Sequence, residues 1–141
     1  MDSQRPRTLV IGEGAGIGPA IQLVEQERPR AMARWRPLVL LGSDTPFPFR
    51  PRPSVIVVPG IPTGVIACMP LLEEWGIASR LASSLGLPGC FEGSVIGLAD
   101  TWLGSLRHDE LAEVELFARG PAEWLSHVAT LSQRYNLPSD A

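Results

Sequence analysis

A cluster of glycines lies between a strand-like and a helix-like apolar pattern, and it constrains this chain more than any other feature. Thr8-Leu9-Val10-Ile11 is short, β-branched and apolar, and it stops at Gly12. Such a run reads as a strand buried on both faces of a parallel sheet. Gly12-Glu13-Gly14-Ala15-Gly16-Ile17-Gly18-Pro19 follows, and then Ala20, Ile21, Leu23 and Val24 recur at helical spacing. Pro19 suits the first turn of that helix. Glycine reaches positive φ without strain and lets other atoms approach the backbone closely. Where such a turn opens a helix, unpaired amides and the helix dipole together favour an anion. The same glycines also suit a tight turn that binds nothing. Glu13 places a carboxylate beside the phosphate position, and Ala15 offers no hydroxyl.

The rest of the chain alternates in the same way. Residues 37–41 and 54–58 read as further strands, 77–81 as a short strand, and 114–118 as a late one. Helices are predicted over residues 64–75 (with Pro70 forcing a late start or a kink), 93–106 and 121–135. Residues 45–53 read as an irregular loop, 86–89 as a turn, and 136–141 as a frayed tail. Strands alternating with helices imply right-handed crossovers. The predicted fold is α/β: a Rossmann-like three-layer domain with a mainly parallel sheet of about five strands, filling residues 1–141 as one unit.

Composition removes several function classes. Every basic residue is Arg, since the chain has no Lys. Through Arg52 there are eight Arg against five acids, and beyond it four Arg against ten. The basic front suits an anionic ligand, or simply solvated loops. The net charge of −3 and scattered aromatics argue against nucleic acid. No run reaches the roughly 20 apolar residues of a membrane span, and no signal-like segment opens the chain. The expectation is a cytoplasmic protein. Cys68 and Cys90 are read as packed thiols, too few to hold an iron–sulfur cluster.

Catalytic motifs can be tested by what is missing. A P-loop needs Lys and then Ser or Thr after its last glycine, whereas Gly18 precedes Pro19. The spacing Gly12-x-x-x-Gly16-x-Gly18 resembles the short-chain dehydrogenases, but Tyr135 is the only Tyr and its Lys partner does not exist. His108 and His127 read as surface or packed residues, and no spacing suggests a metal site. No catalytic residue is assigned. Trp35, Trp75, Trp102 and Trp124 read as core or boundary residues. Phe47 and Phe49 are either packed or offered to a partner.

Three segments carry a resemblance. They are residues 9–19, then Val39-Leu40-Leu41-Gly42-Ser43, then Glu115-Leu116-Phe117-Ala118-Arg119-Gly120-Pro121. In order and spacing, with Gly86, Gly89, Gly93 and Val95 between, they resemble the nucleotide-binding domain of the ferredoxin–NADP reductase superfamily. The likeness is greatest to the electron-transfer subunit of dihydroorotate dehydrogenase. The resemblance implies NAD or NADP lying across the C-terminal strand edges. It places Gly12, Gly14, Ala15, Gly16, Ile17 and Pro19 along the pyrophosphate and nicotinamide side, and Gly120 and Pro121 beside the nicotinamide. Asp44 would meet the adenosine ribose and favour NAD, and Gly42 would also line the cofactor. Ser79-Arg80 resembles a clamp for a 2′-phosphate, with a solvated loop charge as the other reading.

The departures matter as much. Arg119 stands where the family has the cysteine of Cys-Gly-Pro. Neither the flavin-binding barrel nor the four-cysteine iron–sulfur segment has a counterpart, so FAD is expected only on a flavoprotein partner and no turnover is expected from this chain alone. A second expectation, from another class, is a non-catalytic paralogue with a degenerate nucleotide site that acts in protein association.

Overall fold

A computed structural model describes residues 5–30 and 35–141. Side chains alternate across β1 (Arg7–Glu13) and β2 (Arg36–Ser43), and this alternation creates two cores. Leu9, Ile11, Leu38 and Leu40 face one way, against Leu98 and Trp102 of α3 (Val95–Gly104) and Val128 and Leu131 of α5 (Leu125–Tyr135). Val10, Val39 and Leu41 face the other way, against Ala20 and Val24 of α1 (Ile17–Glu27) and Leu72 of α2 (Pro70–Glu74). Helices cover both faces, as the buried strands require.

Among the described residues six strands form one parallel sheet in the order β6-β5-β2-β1-β7-β8. Here β5 is Ala78–Ser83, β6 Phe91–Glu92, β7 Val114–Arg119 and β8 Ser139–Asp140. From β1 the chain moves outward through β2 and β5, then crosses back to place β7 on the other side of β1. That reversal is where parallel sheets open a crevice at their carboxyl ends. A separate antiparallel ribbon joins β3 (Arg52–Pro53) to β4 (Ala67–Cys68), and α4 (His108–Leu111) precedes β7. This is the Rossmann-like α/β architecture expected. No helix among the described residues is long and apolar enough to cross a membrane.

Three predicted elements need correction. Residues 54–58 are not a strand: Val55 and Val57 are 90% and 85% exposed. Side chains satisfy this segment instead of a ladder. The Ile56 carbonyl accepts from Arg80 Nη2, while the Ser54 hydroxyl and the Val55 N–H donate to Glu73 at 2.7 and 2.8 Å. The strand beside β2 is β5, whose buried Ser79 and Arg80 disguised it as polar.

The predicted helix 64–75 contracts to α2, with Pro70 in its first turn and the Met69 sulfur accepting from the Leu72 N–H. The tail is docked, not frayed. Leu137 is buried, the Leu116 N–H donates to the Pro138 carbonyl at 2.9 Å, and β8 extends the sheet beyond β7.

Candidate nucleotide site at the strand ends

The Gly-rich turn sits at the reversal point, and its glycines divide by role. Gly12 is buried, and a Cβ there would come within 2.9 Å of the Ala20 Cβ, so this glycine sets the close approach of α1 to the sheet. Gly16 is buried as well, pressed against the Arg119 carbonyl and the Gly120 nitrogen at the end of β7. Gly14, at φ 55, and Gly18 are exposed, with nothing within 4 Å of where a Cβ would stand. Among the described residues no side chain caps the start of α1, which begins straight after the short 3-10 turn of Gly14–Gly16. The Ile17 N–H is taken by the Gly14 carbonyl and Pro19 has no N–H, so the clear surface at the start of α1 is the backbone around Gly14 and Gly18. Pro19, Gln22, Gln26, Arg119 and Asp140 continue it as a polar cavity of about 530 Å³.

The remaining expected residues fall into three groups. Ala15, Pro19 and Asp44 are exposed around the turn, and Gly120 and Pro121 are half-buried at the end of β7. Ile17 is buried in the α1 core. Gly42 is buried too, and the space on its open side is taken by the Glu13 carboxyl and Val95, so it makes room for a side chain and does not face a ligand. Asp44 accepts from the Ser84 hydroxyl at 3.2 Å, which ties the ends of β2 and β5 together.

Glu13 and Trp124 are the residues whose placement the sequence conceals. The Glu13 carboxyl lies over Gly42, on the α3 side of the sheet and away from α1. Its Oε2 is buried and has no hydrogen-bond partner among the described residues. Burial, and then the charge of Asp44, push this carboxyl above the usual carboxylate range. The Trp124 ring packs directly against Gly120, which is why no side chain fits there. A Trp three residues after a strand-ending Gly-Pro was the only available signal, and its apolar character pointed equally to the core.

Arg80 fits neither expected role. It is a buried strand residue, donating to the carbonyls of Val65 at 3.2 Å, Ser79 at 2.6 Å and Ile56 at 2.5 Å. Its guanidinium is committed to backbone carbonyls and does not face a 2′-phosphate. Arg119 turns its Nη1 to the Ala118 carbonyl at 2.8 Å and lies 3.7 Å from Asp140 Oδ1. Phe47 is buried and stacks on Phe49 with centroids 5.2 Å apart, so the first ring is packed, not presented. Burial raises the thiols of both Cys68 and Cys90. His108 and His127 are exposed.

No family model matches this chain, and no curated protein or solved structure matches it either.

The site's chemistry therefore rests on its own geometry. It offers exposed backbone at Gly14 and Gly18, an exposed carboxylate at Asp44, and the half-buried Glu13 carboxyl over Gly42. A pyrophosphate suits the first of these, and vicinal hydroxyls suit the second. Among the described residues no three His, Cys, Asp or Glu side chains gather as metal ligands would.

A cavity of about 410 Å³ lies at the opposite ends of the strands, between Arg7, Arg36, Val58, Trp102 and Glu110. Its two arginines are already held by acids, Arg7 by Glu110 at 3.4 Å and Arg36 by Glu113 at 3.8 Å. It offers an anion little free positive charge.

Proposed function

We propose that this chain is the pyridine-nucleotide-binding domain of a flavin-dependent electron-transfer system, working with a separate flavin-bearing partner. The observation that carries this reading is the open backbone around Gly14 and Gly18 at the start of α1, placed at the reversal point of a parallel sheet. The exposed backbone at Gly14, Ala15 and Gly18 would hold the pyrophosphate. Asp44, steadied by Ser84, would accept from the adenosine ribose and disfavour a 2′-phosphate. With Arg80 buried, no counter-charge for that phosphate comes from β5, which favours NAD over NADP. When bound, the nicotinamide supplies the hydride chemistry, and a flavin on the partner would exchange it. Here the chain's own residues only bind and orient.

The test is a titration of the purified protein with NADH and with NADPH, read by tryptophan fluorescence and by melting. At about 100 times the dissociation constant a ligand stabilises by roughly 2.7 kcal/mol. NADH should give a saturable shift, and NADPH a weaker one. No response to either would overturn the reading. One pair of observations favours the second reading, a non-catalytic paralogue acting in protein association. The Trp124 ring occupies one side of Gly120, and the Glu13 carboxyl fills the space over Gly42. Under that reading Glu13→Gly also fails to bind.

A further inference from the structure

The cavity of about 410 Å³ at the amino ends of β1, β2 and β5 lies away from the glycine turn, and its walls are mainly apolar. Leu38 and Ala78 form its floor on the sheet, and Trp102 and Leu106 close it at the end of α3. Residues 57–60 make the remaining wall, as a strap anchored at both ends. On one side Arg80 donates to the Ile56 carbonyl, and the Val55 N–H donates to Glu73 at 2.8 Å. On the other side Gly60, at φ 90, sits so close to Ser105 and Trp102 that no side chain fits there. Ser105 itself donates to the Trp102 carbonyl at 2.6 Å. Between these anchors Val57 lines the cavity and is nevertheless 85% exposed. A ligand that covers such a side chain removes apolar surface from water.

The rim selects the charge of that ligand. Arg7 lies 3.4 Å from Glu110 and 3.7 Å from Glu113, and Arg36 lies 3.8 Å from Glu113. Two arginines therefore stand against two carboxylates, and the charges balance. An anion meets the acids and a cation meets the arginines, so either loses hydration with little in return. Hydrogen-bonding capacity remains. The Arg36 side chain is 65% exposed, and its 3.8 Å approach to Glu113 is too long for a hydrogen bond. Its N–H groups can turn to an acceptor.

We propose that this cavity is a second binding site, for an uncharged, ring-sized apolar molecule that carries a carbonyl oxygen. The ring system lies against Leu38, Ala78 and Trp102 beneath residues 57–60, and the oxygen accepts from Arg36. A volume of about 410 Å³ falls within the range of small-molecule pockets. The site is at the opposite strand ends from the glycine turn, and it does not depend on the function proposed above.

The experiment titrates the full chain with 2-naphthamide, 2-naphthoate and 2-naphthylmethylammonium, which share a ring system and differ in charge. Backbone amide and indole spectra follow the binding. The amide probe should give saturable shifts at Leu38, Val57, Val58, Gly60, Ala78 and Trp102, and the two ions should bind at least about fivefold more weakly. Ala78→Leu fills the floor and should weaken 2-naphthamide by about tenfold or more. Val57→Ser, at an exposed position that the fold does not need, should weaken it about fivefold even if Ala78→Leu does not fold. Arg36→Met keeps the stem, removes the donors, and should cost about fivefold. No saturable shift with 2-naphthamide, or shifts gathered elsewhere in the fold, overturns the proposal. Either ion binding as tightly as the amide overturns it too, as does unchanged affinity in Val57→Ser and Arg36→Met.

Discussion

Gly16 and Gly18 stand two positions apart in one turn and face opposite constraints. A methyl at Gly16 would overlap the Arg119 carbonyl, whereas at Gly18 it would meet open space. Gly16→Ala should therefore destabilise by about 2 kcal/mol or more through forced separation of the turn from β7. Gly18→Ala should be neutral, or stabilising by about 0.5 kcal/mol, because it reduces the freedom of the unfolded chain. Urea denaturation of both variants checks the contrast, and equal effects would contradict it. Glu13 gives a pH prediction at the same scale. Its folded-state value is raised by burial and Asp44, so the folded protein binds its proton more readily than the unfolded chain. That contribution is complete below the usual carboxylate range and is lost as pH rises through the raised value. Glu13→Gln should therefore be more stable than wild type at neutral pH, with the gap closing in acid. A gap that widens in acid would contradict the assignment.

At the scale of elements, Arg80 and the docked tail decide what the fold can dispense with. Arg80→Ala leaves carbonyls of Val65, Ser79 and Ile56 without their donor and opens space beneath the 54–58 segment. It should cost about 3 kcal/mol in denaturant and raise hydrogen exchange there, and a loss within about 0.5 kcal/mol would contradict its anchoring role. Leu137→Ala should cost about 2 kcal/mol, because Leu137 seats the turn into β8. A change no larger than that of an exposed site would restore the frayed-tail expectation.

These elements also show what a sequence reveals. β1, β2, β7 and their helices were legible because their apolar periods are clean. Residues 54–58 misled because four β-branched residues in a row satisfy a strand pattern whether or not any edge is free to receive them. β5 was understated because a buried Arg bonded to carbonyls looks, in sequence, like an exposed one. The glycine turn was legible as a turn, but the division between packing and open glycines depends on what β7 and α1 bring alongside.

For the whole molecule, the crossing back from β6 through α3 to β7 places β1 at the centre of the sheet and its glycine turn at the reversal. On the proposed function, a dinucleotide docks on the backbone at that point. Backbone amide spectra recorded during a titration with NADH test it most directly. Saturable shifts should concentrate at Gly14, Ala15, Gly16, Ile17 and Gly18, with a second group at Gly120 and Asp44. Saturable shifts that gather at the opposite strand ends, around Arg7, Arg36 and Trp102, or no saturable shifts at all, would contradict it.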